Sequence, residues 1–138
     1  MNIDEIKNGI VIDHISQGKG MELYSLLKLD TLDCTVVIGK NVGSRQMGKK
    51  DIIKIDADIE LDTAILGYID PNVTVNIIKD GKIVEKKRVS LPEKLVNVIE
   101  CKNPRCITSC EQELDQVFTL TDRESRVYRC MYCEAKAK

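Results

Sequence analysis

Two close-spaced cysteine pairs constrain this chain more than any other feature: Cys101-Lys-Asn-Pro-Arg-Cys106 and Cys130-Met-Tyr-Cys133. Each pair can turn two thiolates toward one point, and two such knuckles build the tetrahedral S4 shell that zinc prefers in closed structural sites. Four thiolates leave no open coordination position for water, so the expected Zn2+, one per chain, builds structure and performs no hydrolysis. Cys110 lies four residues after Cys106 and is read, like the isolated Cys34, as a free buried thiol outside the shell. A segment of roughly forty residues is below the size that folds on its core alone, which makes the metal a condition of folding there.

Five of the six cysteines fall after position 100, and this marks a composition boundary. The 138 residues accordingly divide into a first domain, 1–93, and a zinc-binding domain, 94–138, with the stretch Leu91–Ile99 as connector. The apolar fraction of 43% and charged fraction of 31% are those of a soluble globular protein. No apolar run is long enough to span a bilayer and no secretory segment stands at the start, so no membrane partner and a cytoplasmic location are expected, where thiols stay reduced and available to a metal. The main alternative, a zinc-ribbon nucleic-acid-binding protein, is disfavoured by the net charge of −1, the pI near 5.9 and the 4% aromatic content. An enzyme is disfavoured by the single histidine, the saturated metal shell and the lack of a recognisable nucleophile and base pair.

Ahead of the cysteines, GIVIDHI (Gly9–Ile15) is rich in β-branched residues and reads as a strand. Met21–Leu29 sets Leu23, Leu26 and Leu27 at helical spacing. CTVVIG (Cys34–Gly39) and KDIIKIDA (Lys49–Ala57) are two further strands, joined through the polar stretch NVGSRQMG as a hairpin with a long loop. Asp58 is the expected N-cap of a second helix, which Pro71 ends. The run VTVNIIK, the turn Asp80-Gly81 and KIVEKKRV form a hairpin. This order predicts an α+β fold: a ferredoxin-like βαββαβ sandwich followed by a small β-rich zinc-binding domain.

The chain resembles the regulatory chain of aspartate carbamoyltransferase over essentially its whole length. The resemblance is carried by VIDHI (Val11–Ile15), MGKKDIIKI (Met47–Ile55), TVN (Thr74–Asn76), SLPE (Ser90–Glu93) and the ordered C-x4-C and C-x2-C pairs. It implies a non-catalytic subunit that binds the nucleoside triphosphates CTP, UTP or ATP and controls pyrimidine biosynthesis allosterically. It further implies pairing with a second regulatory chain and docking of the zinc domain onto the catalytic chain. Carried across by motif, Ile3, Asp4, Glu5 and Ile6 would contact the base, and Val11, Asp13 and His14 would line the ribose and phosphates. Lys50 and Lys54 would flank the ribose and a second nucleotide or metal-bridged phosphate, Asn76, Ile78 and Ile83 would form the pocket wall, and Lys86 would grip the triphosphate. A triphosphate carries several negative charges near neutral pH and needs converging cationic donors, which His14, Lys50, Lys54 and Lys86 supply. Asn103 and Arg105, inside the first cysteine knuckle, would face the catalytic chain.

Overall fold

The computed structural model describes residues 6–45 and 48–137; Ile3, Asp4 and Glu5 lie outside the described residues. The chain folds into two compact units, Met1–Ser90 and Leu91–Lys138.

In the first unit the elements run β1 (Gly9–Ser16), α1 (Gly20–Leu26), β2 (Val36–Ser44), β3 (Gly48–Ile55), α2 (Thr63–Ile69), β4 (Thr74–Lys79) and β5 (Lys82–Arg88). The sheet order is β2-β3-β1-β4-β5 and every pairing is antiparallel. β3 and β4 flank β1, as the split βαβ arrangement requires, and β5 adds an edge strand through the Asp80-Gly81 turn. Both turn residues have positive φ, 53° and 77°, the conformation for which Asp-Gly is suited.

Strand alternation sorts the side chains into two faces. Ile10, Ile12, Ile53, Ile55 and Val75 are buried in the core with Leu23 of α1 and Leu66 and Ile69 of α2. The intervening positions, Val11, Asp13, Lys54, Thr74 and Asn76, are only half-buried on the opposite face. All the predicted effector residues of β1, β3 and β4 except the bulge residue His14 therefore share the side of the sheet turned away from the core.

Three expectations are corrected. The N-cap of α2 is Asp62, whose carboxylate accepts from the Ala64 N–H at 2.9 Å, and not Asp58. Ile59 and Leu61, two residues apart, both pack against the core, so the segment after Asp58 stays extended. The expected long loop after Gly39 is mostly strand: β2 continues to Ser44 across a bulge between Gly39 and Val42, where Asn41 has φ 58°. The expected connector contains β6 (Lys94–Val96), in which Leu95 is fully buried opposite Phe118. Pro92 precedes this strand, and its carbonyl accepts a hydrogen bond from the Tyr128 hydroxyl.

The second unit is a three-stranded sheet of β6, β7 (Val117–Asp122) and β8 (Val127–Cys130), in that order. Its apolar core is small: Leu91, Leu95, Val117, Phe118 and Tyr128.

A backbone approach at Gly20 fixes the start of α1. A Cβ there would lie 2.9 Å from Asp51 Oδ2 and 3.1 Å from Asp51 Cβ, and Asp51 is itself fully buried. Gly20→Ala is expected to destabilise the chain by about 1–3 kcal/mol, the usual cost of overpacking. Urea unfolding would measure it, and an unchanged midpoint would show that Asp51 yields without cost.

Candidate metal centre and effector cavity

The four cysteines of the two knuckles converge. Their sulfur atoms all lie within 4.8 Å of one another, with Cys101 Sγ 3.5 Å from Cys133 Sγ and Cys106 Sγ 3.7 Å from Cys130 Sγ. A tetrahedron with metal–sulfur bonds of about 2.3 Å has sulfur–sulfur edges of roughly 3.8 Å, so the set has the dimensions of an S4 metal shell. The same distances exclude disulfides between these partners, since an S–S bond is about 2.05 Å long.

Local backbone geometry aims the sulfurs. Asn103 Oδ1 accepts from the Arg105 N–H at 3.1 Å, and its carbonyl accepts from the Cys106 N–H at 3.1 Å, closing the first knuckle. The second follows β8: the Cys130 carbonyl accepts from the Glu134 N–H at 2.9 Å, with Glu134 at φ 64°. Polar hydrogens face the thiolates. The Thr108 hydroxyl donates to Cys106 Sγ at 3.1 Å and, with the Thr108 N–H, holds that thiol below its ordinary pKa. The Ala135 N–H and the Asn103 side chain bring Cys133 down to about 6. Burial pushes Cys101 up to about 12 and also raises Cys130. Four thiols so close cannot all ionise on their own charges, and a bound cation is what allows each to be a thiolate.

Cys110 is outside this group and, contrary to expectation, exposed, because it follows the short helical turn Ile107–Ser109 on the surface; Cys34 is half-buried. Asn103 is half-buried and occupied within the knuckle, while Arg105 is exposed.

The first unit carries a cavity of about 810 Å3 lined by Asp13, His14, Asn76 and Lys86 among others. Cross-strand register sets Asn76 and Lys86 of the lining in one row with Val11 and Lys54, which lie outside it: Lys54 lies opposite Val11, Val11 opposite Asn76, and Asn76 opposite Lys86. Residues in one row share a face, so a lysine of β3 and a lysine of β5 bracket Val11 and Asn76. Asn76 Oδ1 is buried and has no hydrogen-bond partner among the described residues. An unpaired buried carbonyl oxygen costs free energy unless something donates to it.

A bulge between Ile12 and Ile15 turns His14 to φ 59° and directs it toward the cavity, where its Nδ1 lies 2.9 Å from Thr74 Oγ1. Lys50 does not line the cavity itself; its ammonium is 2.7 Å from Asp13 Oδ1. Burial works against the Asp13 carboxylate, but Lys50 and the His14 N–H outweigh it and keep its pKa below the usual value. Ile78 and Ile83 pair with each other one step along the sheet, beyond the cavity lining, and Ile6 is half-buried ahead of β1. The sequence reading missed Thr74, Asn72 and Arg88, which also line the cavity. The first two border the α2–β4 turn, whose approach to β1 no local pattern signals.

A family model described as the aspartate carbamoyltransferase regulatory chain, allosteric domain, matches residues 1–90, and one for the metal binding domain of the same chain matches residues 93–138. The aspartate carbamoyltransferase regulatory chain of Clostridium tetani is 49% identical over 135 residues, 97% of this chain and 94% of its own length. That of Clostridium botulinum is 47% identical over 134 residues, covering 97% and 92%. The corresponding chain of Bifidobacterium longum is 42% identical over 138 residues, covering 100% and 99%. With both units matched and relatives aligned nearly end to end, this chain belongs to the family of aspartate carbamoyltransferase regulatory chains, the non-catalytic allosteric subunits of that enzyme.

Proposed function

We propose that this chain binds CTP, UTP or ATP in the cavity of its first unit and passes the effect to the catalytic chains through a second unit held together by zinc. The observation that carries this reading is the row Lys54–Val11–Asn76–Lys86, with an unpartnered carbonyl oxygen at Asn76 and His14 beside it. Two ammonium groups at the ends of such a row suit a phosphate chain, and a buried acceptor between them suits a ribose hydroxyl. The Asp13–Lys50 pair holds a third ammonium at the border of the site. Ile78 and Ile83 would extend the wall for the base, joined by Ile3, Asp4, Glu5 and Ile6.

Zinc is the metal this S4 set suits best, since it accepts four thiolates tetrahedrally without redox chemistry. In this reading residues 1–93 form the effector domain, which pairs with a second regulatory chain. Residues 94–138 dock onto the catalytic chain, with Asn103 shaping the first knuckle and Arg105 exposed to the partner. The assembly works in the cytoplasm. Allostery of this kind needs effectors that bind one quaternary state better than another.

Calorimetry of CTP and ATP with the wild type and Lys86→Ala tests the site. A lost charge-assisted hydrogen bond of about 1.5–3 kcal/mol predicts at least tenfold weaker binding in the variant. Equal affinity in both would contradict the assignment.

A further inference from the structure

Two buried carboxylates, Asp51 and Asp70, take no part in the cavity or the metal centre. Asp51 is fully buried and Asp70 is 2% exposed. A buried carboxylate must be compensated by hydrogen bonds, and the donors each one collects are the notable feature. Asp70, the C-cap residue of α2, accepts from the Ser16 N–H at 2.6 Å through Oδ2 and from the Asn72 N–H at 3.0 Å through Oδ1. Asn72 lies in the α2–β4 turn that walls the cavity, and Ser16 ends the bulged strand that presents Asp13 and His14 to it. Asp51 accepts from the N–H groups of Gly18 at 3.2 Å and Gly20 at 3.0 Å through Oδ2, and from Asn41 at 3.1 Å through Oδ1. Asn41 sits in the bulge of β2, an edge strand of the five-stranded sheet.

We propose that Asp70 and Asp51 form a relay in which the wall of the effector cavity is tied to the Ser16–Gly20 turn and that turn to the bulged edge strand β2, so that filling the cavity stiffens β2. The idea rests on the cavity being the effector site. Each carboxylate bridges two segments with its two separate oxygens, so neither segment can move without breaking a hydrogen bond at a buried charge. β3, the strand that carries Asp51, lies between β1 and β2, and the bridges tie it to two segments that its ladder skips, the turn after Ser16 and the bulge at Asn41. The exposed Gln17–Asn41 side-chain bond, 2.7 Å long, runs parallel to the relay on the surface and is a built-in control.

Hydrogen exchange of the full chain with and without CTP tests the relay, with affinity measured separately by calorimetry. In the wild type CTP is expected to slow exchange of the β2 amides at least about threefold, as ligand-linked protection of a locally opening segment does. Asp51→Asn keeps the shape but presents an amide NH2 to one set of N–H donors. It should bind CTP within about twofold of wild type and lose most of the β2 response, whereas Gln17→Ala should keep it. A full β2 response in Asp51→Asn, or its loss in Gln17→Ala, overturns the relay. If Asp51→Asn does not fold, the wild type decides: CTP must slow the Ser16, Gly20 and Asn41 amides together, and slowing at Ser16 without Asn41 overturns the proposal. Where CTP does not bind, UTP or ATP serves as the probe, and a wild type that binds none of the three overturns the effector reading itself, and the relay falls with it.

Discussion

Treating the chain with a strong chelator and a thiol-reactive mercurial is expected to release one zinc ion per chain and to unfold residues 91–138. The second unit has only a three-stranded sheet and a core of five apolar side chains, of which Leu95, Phe118 and Tyr128 are the most deeply buried. Units of that size do not hold on hydrophobic burial alone, whereas structural zinc supplies on the order of 10–16 kcal/mol in small peptides. The geometry links metal loss directly to the sheet. Cys130 is the last residue of β8, paired with Phe118 of β7, and the Met131 N–H donates to the Val117 carbonyl at 2.9 Å. Without the metal, Cys101 and Cys130, raised by burial and by the neighbouring thiols, keep their protons, and the knuckles lose their common centre. The measurement is zinc released per chain together with amide protection in β7 and β8. Release near zero, or protection that survives complete release, would sink the structural role. Cys106→Ser, at the buried end of the shell, should reproduce the unfolding without chelator.

The second large effect is expected at Ile12. It is fully buried in the central strand, paired with Ile53 on one side and Val75 on the other. Truncation to alanine removes three carbon atoms from a site hemmed in by strands that cannot collapse onto the gap, at a cost of about 2–5 kcal/mol. For a unit of this size that is a large share of the total stability of roughly 5–15 kcal/mol, and it should lower Tm by on the order of 10 °C or more. Zinc content should be unchanged, because every ligand lies in the other unit. A destabilisation under about 1 kcal/mol would remove Ile12 from the core.

Much of this was legible because it is local. The alternation in GIVIDHI, KDIIKI and TVNII sets which residues enter the core and which face the cavity, since strand side chains alternate with period two. The Asp80-Gly81 turn was read correctly for a similar reason: two adjacent positive φ values are a property of the dipeptide. Reading failed where equivalent signals competed. Asp58 and Asp62 are equally good caps, and only packing of Ile59 and Leu61 chose between them. It failed again at the connector, where Leu95 of β6 takes a place in the second sheet opposite Phe118.

The sequence by itself determined the metal site, because two short knuckles specify their own geometry and four sulfurs need only one meeting point. Its period-two alternation also sets Val11, Lys54 and Asn76 away from the core, while Lys86 stands in a strand exposed along its whole length. Only the tertiary structure decided that these four form a single row, because their alignment depends on β1 being inserted between β3 and β4, a pairing of segments far apart in the chain. The burial of Asp51 and Asp70 was decided there too. A carboxylate belongs to solvent unless enough donors surround it, and the donors here come from β1, the β1–α1 turn, β2 and the α2–β4 turn, which only the folded chain assembles.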